Sequence, residues 1–218
     1  MDKIILKKLA DLEEKHRVKI LFAVESGSRE WGFASEDSDY DVRCIHISSR
    51  ESYLSLNKVQ EQINEISDNI DIVSWDIRKF FSLFLKSNPT VSEWLSSDIV
   101  YINRKLGKYD KSLLLKIFNK GFSRSKLQKH YISLARQNYE KYINSSDKDV
   151  LLKKYVYILR GLGCVEYINK TNNLPPLNWS LSYKFLPENV RRIFERLVEM
   201  KKSSEANKGS RDEKLDKW

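Results

Sequence analysis

Residues 18–24, VKILFAV, form a short, largely apolar run that is rich in branched and aromatic side chains. A run this short and this apolar is typical of a buried strand. Three more strands are predicted where short alternating or apolar stretches follow, at 40–47, 60–66 and 69–74. Apolar residues at helical spacing predict helices at 3–16 and 75–86. The first half of the chain is therefore expected to be a sheet with flanking helices.

The second half has a different pattern, because its apolar residues recur at helical spacing. Helices are predicted around 113–118, from 123 to about 143, at 149–168 and at 187–201. Ser145-Ser146-Asp147 is expected to interrupt them, and Asn172–Asn178 with its two prolines is expected to be a loop. Strands first and helices second predict an α+β fold with a boundary near residue 103.

Composition excludes several classes of protein for this chain of 218 residues. Two cysteines and three histidines argue against a disulfide scaffold, a Cys-rich zinc site and a His-based metal centre. No apolar run reaches the ~18 residues of a membrane helix, and the charged first residues are not a signal peptide. We therefore expect a cytoplasmic protein without a membrane partner.

The formal charge of +9 is unevenly distributed. Residues 1–102 carry a net charge of −5, residues 103–160 carry +11 and residues 161–218 carry +3. An acidic half beside a basic block is typical of a metal-phosphate site that faces a polyanionic substrate. Solvated lysine-rich helices give the same pattern without any partner, and the charges alone do not separate the two interpretations.

The pair Gly27-Ser28 directly follows the first predicted strand. A glycine-serine turn at this point leaves backbone N–H groups exposed at the start of a short helix. Such groups, with the serine hydroxyl and the helix dipole, bind phosphate oxygens. The turn is therefore a candidate phosphate-binding element.

Asp39 and Asp41 stand at the head of the second predicted strand, one residue apart. Alternation along a strand points both carboxylates to the same face, which favours a bound cation. Asp71 offers a third carboxylate between Ile70 and Ile72, and we expect it to face inward as a ligand. Oxygen ligands of this kind suit Mg²⁺ or Mn²⁺. Asp76, by contrast, is interpreted as part of a helix N-cap.

Together, Gly27, Ser28, Asp39, Asp41 and Asp71 resemble the signature of the DNA polymerase β-like nucleotidyltransferase superfamily. Longer segments are similar to the YcgL/RlaP-type family of predicted nucleotidyltransferases, for which a role in RNA repair has been proposed. The similar segments are ESGSREWGFASEDSDYDVR, IDIVSWDIRKFF, SNPTVSEWLSSDIVY, HYISLARQNYEKYI and KKYVYILRGL.

This resemblance implies a minimal nucleotidyltransferase fold, in which a short mixed sheet with helices precedes a C-terminal helical domain. Residues 1–102 would form the catalytic domain, 103–202 a helical substrate- and nucleotide-binding domain, and 203–218 a flexible polar tail. The resemblance also implies that Gly27 and Ser28 hold the triphosphate of an NTP such as ATP. Asp39 and Asp41 would bind two metal ions, and Asp71 would bind the catalytic metal and help to deprotonate the attacking hydroxyl.

Further nucleotide-binding candidates come from the residue pattern. Arg29 follows the glycine-serine turn and is interpreted as a phosphate contact or a surface ion pair, and Ser38 as a phosphate contact or a turn cap. Lys153 and Tyr157 share a face of a predicted helix, with Lys154 beside them, and are candidates for holding the nucleobase and γ-phosphate. Solvated lysines on an amphipathic helix are the alternative.

The sequence leaves the acceptor open. Transfer of an NMP to an RNA end is the leading hypothesis, because the basic block favours a polyanion. A protein or small-molecule acceptor is a second hypothesis. A non-catalytic, antitoxin-like binding module of the same fold is a third, and the intact acids Asp39, Asp41 and Asp71 argue against it.

Overall fold

The computed structural model of the chain describes residues 1–105, 110–144, 149–150, 152–203 and 209–210. The chain divides into two compact units. The first comprises Met1–Glu30 and Asp39–Phe122, and the second comprises Trp31–Ser38 and Ser123–Trp218. The predicted break at Ser145-Ser146-Asp147 lies outside the described residues, as does most of the predicted tail.

Five strands and six helices lie in the described part of residues 1–121. The strands are β1 Val18–Ser26, β2 Tyr40–Ser48, β3 Gln62–Ser67, β4 Ile70–Asp76 and β5 Val100–Asn103. The helices are α1 Asp2–His16, α2 Gly27–Trp31, α3 Arg50–Leu54, α4 Ile77–Leu85, α5 Pro89–Ser96 and α6 Lys111–Gly121, with α7 beginning after Ser123. All four predicted strands and the helix over 3–16 are confirmed.

The five strands form one mixed sheet in the order β3-β4-β2-β1-β5. Strands β2 and β4 run parallel, and the other neighbouring pairs are antiparallel. In the parallel pair Asp41 lies opposite Asp71, and His46 lies opposite Asp76. This register places two of the predicted acids next to each other on neighbouring strands.

Helix α1 covers one face of the sheet, because its Ile5, Leu9 and Leu12 form one buried stripe at helical spacing. They pack in a cluster with inward side chains of four strands, Ile20, Ala23, Val42, Cys44, Ile63, Ile70 and Ile72. On β2 and β4, Asp41, Arg43 and Asp71 alternate with these apolar residues. The period of two therefore directs the charged side chains to the other face.

Helix α4 begins where β4 ends, because the Asp76 side chain accepts a hydrogen bond from the backbone N–H of Arg78. This confirms the interpretation of Asp76 as an N-cap, whereas the prediction of helix from residue 75 is wrong at its first two residues. Asn88 caps α5, with Pro89 as its first residue. Helix α5 and strand β5 were not predicted, because each is short and without a clear apolar period.

The second unit is built mainly of helices: α7 Arg124–Tyr142, α8 Leu152–Thr171, α9 Trp179–Ser182 and α10 Glu188–Lys202, with a 3₁₀ turn at Tyr183–Phe185. Short strands β6 Asp149–Val150 and β7 Gly209–Ser210 pair antiparallel. The prediction of a helix over 149–168 is therefore wrong at residues 149 and 150 and confirmed from residue 152. The core of the second unit includes Phe33, Tyr155, Leu159 and Phe194.

The α+β fold class and the helical C-terminal region are confirmed by these elements. Helix α6 packs on α5, which keeps residues up to 122 with the first unit. The domain limits at 102 and 202 stay predictions. No described helix is both long enough and apolar enough to cross a bilayer.

Candidate active site

Two carboxylates, those of Asp41 on β2 and Asp71 on β4, face each other across the parallel strand pair. Their side chains are 28% and 33% exposed. The prediction that Asp71 faces inward is wrong. Ile70 and Ile72 are buried under α1, and alternation therefore turns Asp71 to the opposite, partly open face.

The guanidinium of Arg43 joins the two carboxylates. Its Nη2 atom donates to Asp41 Oδ1 at 2.6 Å and to Asp71 Oδ2 at 2.9 Å, while Nη1 donates to the carbonyl oxygen of Asp71 at 2.8 Å. Sequence reasoning missed this residue. The signal was present, because Arg43 follows Asp41 by two residues in YDVR and so shares its face of the strand.

Several opposing influences act on the pKa of Asp41. Burial raises the pKa above its ordinary value of 3.8, and the negative charges of Asp71 and Asp39 raise it further. The Arg43 guanidinium lowers it, but the net direction is upward. The site therefore holds its carboxylates close together at a cost, which a cation would relieve.

Gly27 lies against the Asp41 carboxylate. A Cβ atom at this position would stand 1.9 Å from Asp41 Oδ2, and the backbone φ of +64° is one that side chains rarely adopt. Only glycine fits this close approach. Ser28 follows as a buried residue in α2, so the predicted turn and short helix are both present.

Glu25 is a second residue that sequence reasoning missed. It is buried, its Oε1 accepts the backbone N–H of Asp41 at 2.8 Å, and its Oε2 accepts the Tyr101 hydroxyl at 2.6 Å. Burial raises its pKa above the ordinary value of 4.5. A glutamate at the end of an otherwise apolar strand was the available signal.

Asp39 precedes β2 and is exposed. Burial is the largest cause of the raised pKa of Asp41, and the negative charge of Asp39 is a smaller one. Its carbonyl oxygen accepts from Arg29 Nε at 3.2 Å, and the Arg29 guanidinium lies 3.8 Å from the centre of the Tyr40 ring. These contacts hold Arg29 beside the segment that carries the acids.

Ser38 belongs to a local turn. Its hydroxyl accepts the backbone N–H of Ser35 at 2.9 Å, and its own N–H donates to the carbonyl of Ser35 at 3.1 Å. The turn-capping interpretation therefore describes its contacts in this structure. The role of Ser38 in nucleotide binding stays a prediction.

A metal ion fits the chemistry of the carboxylate pair. Asp41 and Asp71 each direct an oxygen at one positively charged nitrogen, and carboxylate oxygens are the donors that Mg²⁺ and Mn²⁺ prefer. Within the described ranges, no three His, Cys, Asp or Glu side chains are grouped as metal ligands. Asp41 and Asp71 are brought together, whereas Asp39 acts on Asp41 through its charge.

The other nucleotide-binding candidates, Lys153, Lys154 and Tyr157, lie on α8 in the second unit. Lys154 Nζ is 4.0 Å from the centre of the Tyr142 ring and 5.4 Å from that of Tyr157. The Tyr157 ring packs edge-on against the Trp31 ring, with the ring centres 6.0 Å apart. Lys154 and Tyr157 are therefore neighbours, as the helical spacing predicted.

Comparisons with known proteins give several relatives. The chain is 39% identical over 209 residues to an uncharacterized protein, YcgL, of Bacillus subtilis (strain 168), and this match covers 94% of the chain and 78% of YcgL. It is 29% identical over 155 residues to the uncharacterized protein MJ0002 of Methanocaldococcus jannaschii, covering 67% of the chain and 60% of that protein.

A solved structure of a nucleotidyltransferase-like protein from Exiguobacterium sibiricum aligns over 90% of this chain and 70% of its own, with a TM-score of 0.36 and 11% identity. A likeness this weak supports no inference. The family comparison is stronger, because the match extends over all residues from 1 to 218. The resemblance seen in the glycine-serine turn and the acids is thereby confirmed, and the chain belongs to the RlaP family, the RNA repair pathway DNA polymerase beta family.

Proposed function

We propose that this protein is a metal-dependent nucleotidyltransferase that moves an NMP from an NTP to a hydroxyl group at an RNA end. Family membership supports the polymerase β-like transferase class. The observation that carries the proposal is the convergence of Asp41 and Asp71 on one cationic nitrogen, directly beside the Gly27 turn. Acids and a phosphate-binding turn are the two elements that nucleotidyl transfer requires.

Asp39, Asp41 and Asp71 would hold Mg²⁺ or Mn²⁺ in this proposal. Such ions neutralise the charge of a triphosphate and make an attacking hydroxyl more acidic. Asp41 and Asp71 must first give up Arg43, which balances their charges in the structure. Arg43 would then be available to another anion, and the triphosphate is the natural candidate.

The turn would bind the triphosphate. The backbone N–H groups at the start of α2 and the hydroxyl of Ser28 are donors of the kind that bind phosphate oxygens. Arg29, positioned by the Asp39 carbonyl and the Tyr40 ring, would add a charged donor, with Ser38 as a further candidate. Lys153, Lys154 and Tyr157 would contact the nucleobase and γ-phosphate, with solvated lysines as the alternative.

The reaction is a single displacement at the α-phosphorus. The acceptor oxygen forms a bond to phosphorus while the bond to the bridging oxygen breaks, and pyrophosphate leaves. Asp71 would help to accept the hydroxyl proton, which is the role that the family resemblance implies for the third acid. Catalysis here is mainly positioning and charge neutralisation, which rigid strands supply.

RNA is the preferred acceptor for two reasons. The family is associated with RNA repair, and residues 103–160 carry a net charge of +11. The exposed cations Lys126, Lys129 and Arg136 lie on α7 and are accessible to a phosphodiester backbone. We further propose that the protein acts in the cytoplasm.

A labelling experiment tests the proposal. The protein is incubated with Mg²⁺, each α-labelled NTP, and either total RNA or a protein extract, and we expect label in RNA. The Asp41→Asn and Asp71→Asn variants should transfer none, whereas Asp11→Asn, at an exposed position of α1, should retain full activity. Label confined to protein or small molecules would overturn the RNA assignment. Transfer retained in both site variants would overturn the site.

A further inference from the structure

Two adjoining cavities lie at the opposite end of β2 from Asp41. The smaller cavity, which we call the inner cavity, has a volume of about 300 Å³, and the larger, which we call the outer cavity, has a volume of about 770 Å³. Both are lined by Ser55, Asn57, Lys58 and Val59. His46 lines the inner cavity and is five residues from Asp41, or about 17 Å along an extended strand. Volumes in this range are typical of small-molecule sites.

His46 gives the inner cavity a specific polar wall. Its side chain is fully buried, and Nδ1 is held by Ser74 Oγ at 2.7 Å. Among the described residues, none makes a hydrogen bond of ordinary geometry with Nε2, although the backbone carbonyl of Gln60 is near enough to raise the pKa of the ring. Burial is the larger influence and lowers the pKa of His46. A buried ring nitrogen without a well-formed hydrogen bond is suited to bind a polar ligand atom.

Cationic side chains line the outer cavity, and two of them are held in place. Arg78 Nε donates to Asp76 at 3.2 Å, and its guanidinium lies 4.6 Å from the centre of the Tyr53 ring. Lys79 Nζ donates to Gln62 at 2.7 Å. Both side chains therefore reach the cavity without losing much conformational freedom on binding.

The third cation, Lys58, is exposed and lines both cavities. It makes no ion pair with any residue in the described part of the chain. Glu61 also lines the outer cavity, and its charge disfavours a ligand as highly charged as a triphosphate. The lining therefore matches a ligand with one phosphate group and a polar ring.

We propose that these cavities form a second binding site that takes a single nucleotide unit, separate from the carboxylate pair. The phosphate group would lie between Lys58, Arg78 and Lys79, and the polar ring would enter the inner cavity against His46. The nucleotide unit has two possible sources, a free mononucleotide or one nucleotide of an RNA strand. The site does not depend on nucleotidyl transfer, since none of its residues belongs to the proposed catalytic set.

The chain offers a direct reporter for this site. It contains three histidines, of which His16 and His46 line the inner cavity and His130 lies on α7 in the second unit. Nuclear magnetic resonance of the intact protein with ¹⁵N-labelled histidine, in chelator, follows all three rings. Titration with AMP should shift the His46 ring signals and leave those of His130 unchanged. Titration with a uridine hexanucleotide should shift the His46 ring signals as well.

Variants test the assignment of the cations. The double variant Lys58→Gln/Lys79→Gln should raise the dissociation constant for AMP about tenfold, because two charge-assisted contacts to the phosphate are lost. Lys7→Gln, at an exposed position of α1, is the matched control and should leave it unchanged. Asp41→Asn should leave the titration unchanged as well, which separates this site from the proposed catalytic one.

Each outcome decides for or against the site. Saturation by AMP alone identifies a free mononucleotide, whereas tighter binding of the hexanucleotide identifies an RNA strand, and both support the proposal. His46 signals that do not move with either probe at millimolar concentration would overturn it. An unchanged dissociation constant in the double lysine variant would also overturn the proposal. Loss of binding in Asp41→Asn would overturn it too.

Discussion

The two ends of the parallel pair β2 and β4 both carry buried or half-buried acids, but they hold them in different ways. At one end Asp76 is fully buried and accepts from the Tyr53 hydroxyl at 2.5 Å and from the backbone and side chain of Arg78. At the other end Asp41 and Asp71 share the single guanidinium of Arg43.

This difference separates an acid that stabilises the fold from acids that can exchange partners. Asp76 has several dedicated donors, so its charge is satisfied within the first unit and caps α4. Asp41 and Asp71 are partly exposed and share the single cationic side chain of Arg43, so another cation can compete for the same carboxylates. Four predictions test this distinction.

The largest expected effect is the difference in folding stability between the Asp76→Asn and Asp41→Asn variants. Asp76→Asn should lower the free energy of unfolding by about 3 kcal/mol, because a buried charge network is broken. Asp41→Asn should change it by less than about 1 kcal/mol, since burial already disfavours the charge and Asp71 retains Arg43, yet it should abolish transfer. Urea unfolding measures the first quantity and labelled-NTP transfer the second. Equal destabilisation by the two variants would contradict the distinction.

Gly27→Ala should affect both the fold and the activity. The added Cβ atom displaces the Asp41 carboxylate, and the alanine must adopt a φ of +64°. We therefore expect the free energy of unfolding to fall by about 1–3 kcal/mol and the transfer rate to fall about a hundredfold. Gly121→Ala is the matched control, because a Cβ there meets open space at the end of α6. An active, stable Gly27→Ala protein would mean that Asp41 does not need its present position.

Arg43→Met removes the cation between the carboxylates. We expect the variant to be less stable than the parent without metal and to gain about 2–5 °C more in melting temperature when millimolar Mg²⁺ is added. The reason is that Mg²⁺ no longer competes with the guanidinium. Thermal scans with and without Mg²⁺ measure this, with Arg50→Met on α3 as control. An identical Mg²⁺ effect in variant and parent would show that Arg43 does not occupy a cation position.

The smallest effect concerns Glu25. Its pKa is raised in the folded protein, chiefly by burial, so the folded state binds this proton more tightly than the unfolded chain does. Its contribution to stability therefore increases as the pH falls from neutral toward its ordinary pKa of 4.5. Glu25→Gln should remove that increase, a change below about 1 kcal/mol, while Glu14→Gln should not. Urea unfolding at pH 7 and pH 5 compares them, and an unchanged pH dependence in Glu25→Gln would count against the raised pKa.

The predictable part of this protein was local in sequence. The strand at residues 18–26, the helix at 2–16 and the turn at Gly27-Ser28 each depend on neighbouring residues, so composition and period were enough. Helix α5 and strand β5 were missed because their stability comes from packing on other elements rather than from a pattern of their own. The contact between Trp75 and Trp94, with ring centres 3.9 Å apart, is an example.

The sequence by itself determined the fold class, the family and the residue types of the carboxylate site. Only the tertiary structure decided how those residues meet. The register of β2 against β4 sets Asp41 opposite Asp71, residues thirty apart in the chain, and the same register puts Arg43 within reach of both. Pairing register depends on the whole buried face under α1, and no local pattern around any one of these residues encodes it.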